Sequence, residues 1–302
     1  MTVVAVTGGS GFVGQPLIER LKLMDHEVYP LTRLMHPDGL PEWRIHGKVE
    51  VVIHTAARVH IMTETVSDPL PEFRKVNVKG TLNLARQAFH AGVKRIVFIS
   101  SVKVNGESTF DRPFTCFDQP APLDPYGVSK LEAEQALQNL SQETGLEVVI
   151  IRPPLVYGPG VRANFLKLIK LVKSGVPLPL GGIHNKRSMV ALDNLIDLLV
   201  TCVHHPAAAG QIFMVSDDHD VSISELLDLL ASAMNKRSRL LPVPAWMIAG
   251  AATLMGKSAS ANRLLGSLQV DISHTKSTLG WQPVVSMPDA LRKTVEHFLA
   301  QH

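Results

Sequence analysis

The chain of 302 residues is poor in cysteine, charge and aromatic rings. Its two cysteines, Cys116 and Cys202, lie far apart, so a disulfide framework is excluded and reduced thiols are expected. Thirteen histidines are scattered without metal-ligand spacing, and no metal site is expected. Charged residues make up 19% and the formal net charge is +3, too small to argue for a nucleic-acid partner. No apolar run reaches the ~20 residues of a membrane span. The most apolar late stretch, Val243 to Met255, falls short of that length. It is expected to be a buried helix, with a contact on a membrane surface as the alternative. The first residues open directly into a strand-like run, so no signal peptide is expected and the chain reads as soluble and cytoplasmic. What is abundant is hydrophobic side chain, 45% of the total, enough to bury one large domain or a nucleotide-binding domain with a smaller cap.

The most informative stretch is the first. Val3, Val4, Ala5 and Val6 read as a short buried strand, broken at Thr7-Gly8-Gly9-Ser10-Gly11. A helical pattern follows through Phe12, Val13, Leu17, Ile18 and Leu21. Strand, glycine turn and helix are the context in which spaced glycines mean dinucleotide binding. Gly8 permits the tight turn, Gly11 lets the backbone approach a pyrophosphate, and Gly14 lets helix and strand pack closely. The helix N-terminus adds free N–H groups and the positive end of a dipole.

Strand signals recur at Glu27–Leu31, Glu50–His54, Arg95–Ser100 and Glu147–Ile151, with helical patterns at 71–91 and 126–144 between them. Such alternation predicts right-handed βαβ units around a parallel sheet. The second half is less regular, with helices expected near 163–174, 193–204, 222–235 and 288–300 and strands near 188–191 and 211–215. The predicted fold is α/β, a Rossmann-like doubly wound parallel sheet with a smaller C-terminal α/β substrate-binding domain. Residues 1–160 form the dinucleotide-binding domain, to which segments about 188–215 return, and 161–302 form mainly the substrate domain. One interval is anomalous: the stretch from Arg33 to Glu50 is short for the further strand and helix that a dinucleotide fold usually places there.

Two sites of candidate chemistry stand out. Tyr126 and Lys130 are four residues apart at the start of a helix and so share one face. A phenol near its usual pKa of ~10 is a poor acid or base at neutral pH, and a neighbouring ammonium favours the phenolate. Val97-Phe98-Ile99-Ser100-Ser101 is a strand ending in two hydroxyls, at the carboxyl edge where open α/β sheets collect their chemistry. Ser101 can hydrogen-bond a substrate oxygen there while Tyr126 moves the proton; Ser100 reads as a turn residue.

The glycine turn, Ser101 and the Tyr126/Lys130 pair together resemble the extended short-chain dehydrogenase/reductase family of the NAD-dependent epimerase/dehydratase type. The likeness covers essentially the whole chain, and the matching motifs follow one another in order. Residues Thr7 to Gly14 match the cofactor fingerprint, placing Gly8, Ser10, Gly11, Phe12, Val13 and Gly14 at the cofactor. His54-Thr55-Ala56-Ala57 resembles the adenosine-side strand end, and Asn77-Val78-Lys79-Gly80-Thr81 a structural helix motif. Arg152 to Gly160 resembles the segment that sets a proline, here Pro153, against nicotinamide.

In the second half the resemblance implies a UDP-sugar substrate held by Asn164 and Arg187, with Arg263 as a second clamp whose spacing to Asp271 differs by two residues from related epimerases. Val102 and Lys103 stand where 4,6-dehydratases carry an Asp-Glu pair, which disfavours dehydration. Asn105 stands where a tyrosine is usual. The strand after Glu27 ends Tyr29-Pro30-Leu31-Thr32-Arg33 without a carboxylate, so Arg33 favours NADP(H), with NAD(H) possible. The expected reaction is reduction of a UDP-4-keto-6-deoxy-N-acetylhexosamine at C4 for surface-polysaccharide synthesis. A UDP-glucose or UDP-N-acetylglucosamine type 4-epimerase with bound NAD is the alternative, and a non-catalytic dinucleotide-sensing regulator the third. A homodimer through the helices at 71–91 and 126–144 is implied by the resemblance.

Overall fold

Short β-branched runs separated by helices build one parallel sheet. The computed structural model describes residues 1–35, 40–59, 68–256 and 258–301. Its strands in chain order are β1 (Val3–Thr7), β2 (Glu27–Leu31), β3 (Leu34–Met35), β4 (Pro41–Glu42), β5 (Val51–His54), β6 (Arg95–Ile99), β7 (Glu147–Arg152), β8 (Leu155–Tyr157), β9 (Met189–Ala191) and β10 (Ile212–Met214). Six of them form a sheet in the order β10-β7-β6-β5-β1-β2, every neighbour parallel. Strand order reverses between β1 and β5, so the carboxyl ends of these two frame the crevice where such sheets bind ligands.

The helices are α1 (Gly14–Leu23), α2 (Leu70–Phe73), α3 (Thr81–His90), α4 (Pro125–Thr144), α5 (Ala163–Ser174), α6 (Leu192–His204), α7 (Ile223–Ala233), α8 (Ala245–Leu254), α9 (Ser258–Leu265), α10 (Ser273–Leu279) and α11 (Met287–Gln301). A π-helical stretch, Arg74–Gly80, joins α2 to α3. Their ends follow local chemistry. Asp124 caps α4 by accepting from the Gly127 N–H at 2.7 Å, Pro125 takes the first turn, and Gly145 closes the helix at φ +76°. Ser222 and Glu225 form a reciprocal capping box on α7.

Both faces of the sheet are covered. Val4, Val6, Ile53, Val97 and Ile151 pack on one side with Leu17 and Leu21 of α1 and Leu195, Leu198 and Leu199 of α6. Ala5, Val52, Ile96 and Phe98 pack on the other with Leu84 of α3 and Ala133 and Leu137 of α4. That is why the strands read as unbroken apolar runs rather than as alternation. A further cluster joins Tyr157, Phe165 and Ile169 to Leu226, Leu227 and Leu230 of α7 and Leu291, Val295 and Phe298 of α11. β10 and α6 belong to the sheet and its core although they come late in the chain.

The anomalous interval is as short as the sequence reads, and one expectation changes. Among the described residues, the interval after Arg33 holds the antiparallel pair β3 and β4, with residues 36–39 outside those described, and β2 is the edge of the sheet. β2 is largely exposed and contains Pro30, which an edge strand tolerates. The stretch expected as a buried helix does form α8, but at the surface, with Trp246 74% and Leu254 91% exposed. Residues 240–244 run beside 178–182, α9 packs on α8, and Ile248 packs against the cluster around α7 and α11.

Candidate active site

At the end of β1 the chain turns through Gly8 at φ +69°, where an added Cβ would lie 2.6 Å from Thr55 Oγ1 and 2.9 Å from the Ala56 nitrogen. At Gly14 an added Cβ would stand 2.1 Å from the Gly8 carbonyl oxygen, so helix α1 can start this close to β1 only with glycine. The Gly11 N–H closes the turn on the Gly8 carbonyl at 2.8 Å, and Ser10 and Gly11 stay exposed. The end of β5 is tied to the same turn. Thr55 Oγ1 donates to the Thr7 carbonyl at 2.6 Å, and the Ala56 N–H donates to Thr7 Oγ1 at 3.2 Å. This side-chain-free cradle at the crossover of the sheet fits the pyrophosphate of a dinucleotide, with Ala56 and Ala57 beside it. Phe12 and Val13 pack inward on the core below it. Arg33 lies exposed just past the end of β2.

Across the crevice, Lys130 is 2% exposed and its Nζ donates to the Ile99 carbonyl at 2.7 Å, at the end of β6. The same ammonium lies 4.5 Å from the centre of the Phe98 ring and 5.9 Å from that of Tyr126. Ser101 follows Ile99 by two residues and caps a short 3₁₀ turn, its Oγ accepting from the Lys103 N–H at 3.3 Å. The Val102 N–H donates to the Pro153 carbonyl at 3.0 Å, bringing Pro153 beside Ser101. Ser101, Tyr126, Lys130 and Pro153 therefore gather at the carboxyl end of the sheet. Ser100 is buried, and its hydroxyl has no partner among the described residues.

The electrostatics correct one expectation. Burial drives the Lys130 ammonium down to about 7, and burial, with the Asp124 charge behind it, drives the Tyr126 phenol above its ordinary range. Lys130 alone does not make Tyr126 acidic, because both groups share one desolvated pocket.

Several residues singled out in the sequence find partners in the structure that the sequence did not name. Asn77, on the π-helical stretch, donates to Ser129 Oγ and to the Arg58 carbonyl, both at 3.0 Å, and accepts from the Arg58 N–H at 2.8 Å. Ser129 Oγ in turn donates to the Tyr126 carbonyl at 2.8 Å, so the start of α4 is pinned from behind. His54 bridges Thr7 Oγ1 at 2.7 Å and Thr81 Oγ1 at 3.0 Å, and burial pushes its ring down to about 3, keeping it neutral. Asn105 finds its explanation here. It accepts from Arg152 at 3.1 Å and donates to the Thr115 carbonyl at 2.8 Å, while Arg152 is paired with Glu134 inside the core. Lys103, at the position that disfavours dehydration, bonds to Asp124 and lies 3.3 Å from Glu107. The motifs mark His54, Asn77 and Thr81, but their pairings join distant parts of the chain and no local pattern announces those.

The substrate-side residues are less concentrated. Arg187 Nη1 donates to the carbonyls of Arg263, at 2.7 Å, and Gly266, at 3.0 Å, so its guanidinium holds the end of α9. Burial lowers it from its ordinary value. Arg263 is exposed, with Nε 3.8 Å from Glu107. Arg187 and Arg263 are thus adjacent, and Glu107 links Arg263 to Lys103 and the cap of α4. Asn164 is exposed in the first turn of α5.

A family model described as "NAD dependent epimerase/dehydratase family" matches residues 4–216, from β1 through β10 and just beyond. The chain belongs to this family. The epimerase/dehydratase family comprises NAD(P)-dependent enzymes of the short-chain dehydrogenase/reductase type, and the relatives of this chain include sugar-nucleotide 4-epimerases and a sugar-nucleotide reductase. The chain is 48% identical over 312 residues to a "UDP-glucose 4-epimerase" of Vibrio cholerae, covering 98% of this chain and 95% of that protein. It is 29% identical over 266 residues to the "N-acetyl-alpha-D-glucosaminyl-diphospho-ditrans,octacis-undecaprenol 4-epimerase" of Escherichia coli O157:H7, covering 82% and 77% of the two. Among solved structures, RMD from Pseudomonas aeruginosa complexed with NADPH superposes with a TM-score of 0.79 at 23% identity, covering 98% of this chain and 99% of that one, which bears on the fold alone.

Proposed function

We infer that the protein is an NAD-dependent 4-epimerase of a UDP-hexose. The observation that carries this reading is the near full-length 48% identity to the Vibrio cholerae UDP-glucose 4-epimerase. It favours the epimerase over the reductase that the sequence motifs alone put first. The site supports it with a positionable base, a hydroxyl and a cation at one edge of the sheet.

Tyr126 takes the proton from the sugar 4-hydroxyl and returns it after inversion, as a general base and then a general acid. Ser101 Oγ holds that oxygen in place. Lys130, tethered to the Ile99 carbonyl, sets its side-chain nitrogen beside the Tyr126 ring. A dinucleotide with its pyrophosphate held by the glycine turn would supply the hydride acceptor and donor for C4 from its nicotinamide. Burial and the Asp124 charge hold the Tyr126 phenol above its ordinary range, and a positive charge placed beside it would lower it. Asn164, Arg187 and Arg263 hold the uridine diphosphate, Arg187 by keeping the end of α9 in position. The homodimer implied by the resemblance belongs to the same proposal, with α3 and α4 as its helices.

A second reading, an NADPH-dependent 4-reductase, is favoured by one observation: the exposed Arg33 after β2, in a segment without a carboxylate from Tyr29 to Arg33. Two assays in parallel separate them. The protein is given UDP-glucose or UDP-N-acetylglucosamine with NAD, and the galacto isomer is expected without net formation of NADH. It is also given a UDP-4-keto-6-deoxy-N-acetylhexosamine with NADPH. Stoichiometric NADPH oxidation there, with no isomer in the first assay, makes the protein a reductase.

A further inference from the structure

Helix α8 has no role in the site described, and its composition is unusual for a surface helix. Its sequence, AWMIAGAATL, contains no charged residue and is apolar all the way round. Helices of that kind are normally enclosed on every side. Here Leu241, Trp246, Met247, Leu254 and Met255 are all exposed. The helix is also held out deliberately. The Leu178 and Gly181 N–H groups donate to the Arg239 and Leu241 carbonyls at 2.8 and 2.9 Å, and the Leu241 N–H donates to Leu178 at 2.7 Å. This ladder fixes the approach to α8, and α9 supports it from one side.

Along the chain the charges that flank it have one sign, although Ser238 bonds the Asp228 carboxylate and Arg263 lies 3.8 Å from Glu107. No aspartate or glutamate occurs between Asp228 and Asp271, whereas Lys236, Arg237, Arg239, Lys257 and Arg263 do. Lys236, Arg237 and Arg239 are exposed immediately before the apolar segment. An apolar helix flanked by cations at a tryptophan-bearing end matches a bilayer interface with anionic headgroups. It does not match a second copy of the chain as well, because a two-fold contact would set the same cations against each other. At 1.5 Å per residue, a helix of 10 residues rises about 15 Å, half the hydrocarbon thickness, so it can enter one leaflet but not cross.

We propose that α8 and its preceding basic segment dock this enzyme on the surface of an anionic phospholipid membrane. Trp246, Met247, Leu254 and Met255 enter the interface and Lys236, Arg237 and Arg239 meet the headgroups. Docking leaves the protein peripheral, and it sets the substrate side next to the bilayer, since α9 follows α8 and ends at Arg263 and the carbonyls held by Arg187.

The test uses the full chain with large vesicles of phosphatidylglycerol and phosphatidylethanolamine, and with vesicles of phosphatidylcholine alone. The protein is expected to co-float with the former and not the latter, less so as salt rises. Of its three tryptophans, Trp43 and Trp281 are buried, so a blue shift of emission on the anionic vesicles reports Trp246. The double substitution Trp246→Ser, Leu254→Ser is expected to weaken vesicle binding at least about tenfold and remove the shift, with turnover of soluble substrate in lipid-free buffer unchanged. Replacing Lys236, Arg237 and Arg239 by glutamine is expected to flatten the salt dependence. Absence of binding to the anionic vesicles at low salt overturns the proposal. So does binding unaffected by the double substitution, or light scattering that shows a lipid-free dimer dissociated by the same change.

Discussion

Tyr126 and Lys130 occupy the same desolvated pocket, and each is shifted toward its neutral form by it. Tyr126→Phe keeps the ring and removes the proton carrier, so turnover is expected to fall by about 10²–10⁴-fold with the thermal transition unchanged. Retained turnover in a folded variant would remove Tyr126 from the mechanism. Lys130 gives a separate test in the absence of cofactor. Its proton leaves near pH 7 in the folded chain but only near 10.5 in the unfolded one. Between those limits the unfolded chain binds more protons, so stability should rise as pH increases from about 7 toward 10.5. Urea unfolding at several pH values is expected to show this slope, and Lys130→Met to flatten it; an equal slope in the variant refutes the assignment. The identities of Ser101, Tyr126 and Lys130 were legible in sequence because strand end and helix start are local signals. Their electrostatic state was not, because burial is set by Phe98, Phe73 and the sheet beneath them.

Two elements carry the geometry of the site, the glycine turn and α4. Gly14→Ala places a methyl group against the Gly8 carbonyl, which neither backbone can avoid. A loss of about 1–3 kcal/mol in thermal or denaturant unfolding is expected, together with lost dinucleotide binding by titration. Helix α4 is anchored in the core by Glu134, which receives both the Nε of Arg152, at 3.0 Å, and its Nη2, at 2.5 Å. Glu134→Ala leaves the Arg152 guanidinium buried without its counter-charge, and about 3–5 kcal/mol of stability should be lost. Replacing Arg152 as well, by methionine, should restore part of that loss. The glycine spacing predicted the turn directly, since only glycine meets both the positive φ and the close approach. The Glu134–Arg152 pair bridges α4 and β7, and neither residue carries a motif.

At the scale of the whole molecule, the sheet brings the ends of β1, β5, β6 and β7 to one edge, and the C-terminal elements α5, α7, α9 and α11 stand beside it. Epimerisation requires the sugar to present both faces of C4 to one cofactor position, so the substrate must be held by its diphosphate rather than by the sugar. Arg263→Ala is therefore expected to raise KM for the UDP-hexose by about tenfold, the order of one exposed charge-assisted contact, with less change in kcat. A drop in kcat alone would place Arg263 elsewhere.

The sequence by itself determined the α/β class, the six strands of the main sheet in chain order, the dinucleotide cradle and the three residues of the proposed proton relay. Each of these is written in neighbouring residues: apolar runs, glycine spacing, a pair four apart on a helix. Only the tertiary structure decided that β2 closes the sheet as an edge, that Asn105 serves Arg152, and that burial holds Tyr126 and Lys130 toward neutrality. It also decided that the apolar segment after Val243 forms a helix on the outside. Burial depends on what packs over a segment from elsewhere in the chain, and composition sets only how much that burial is worth.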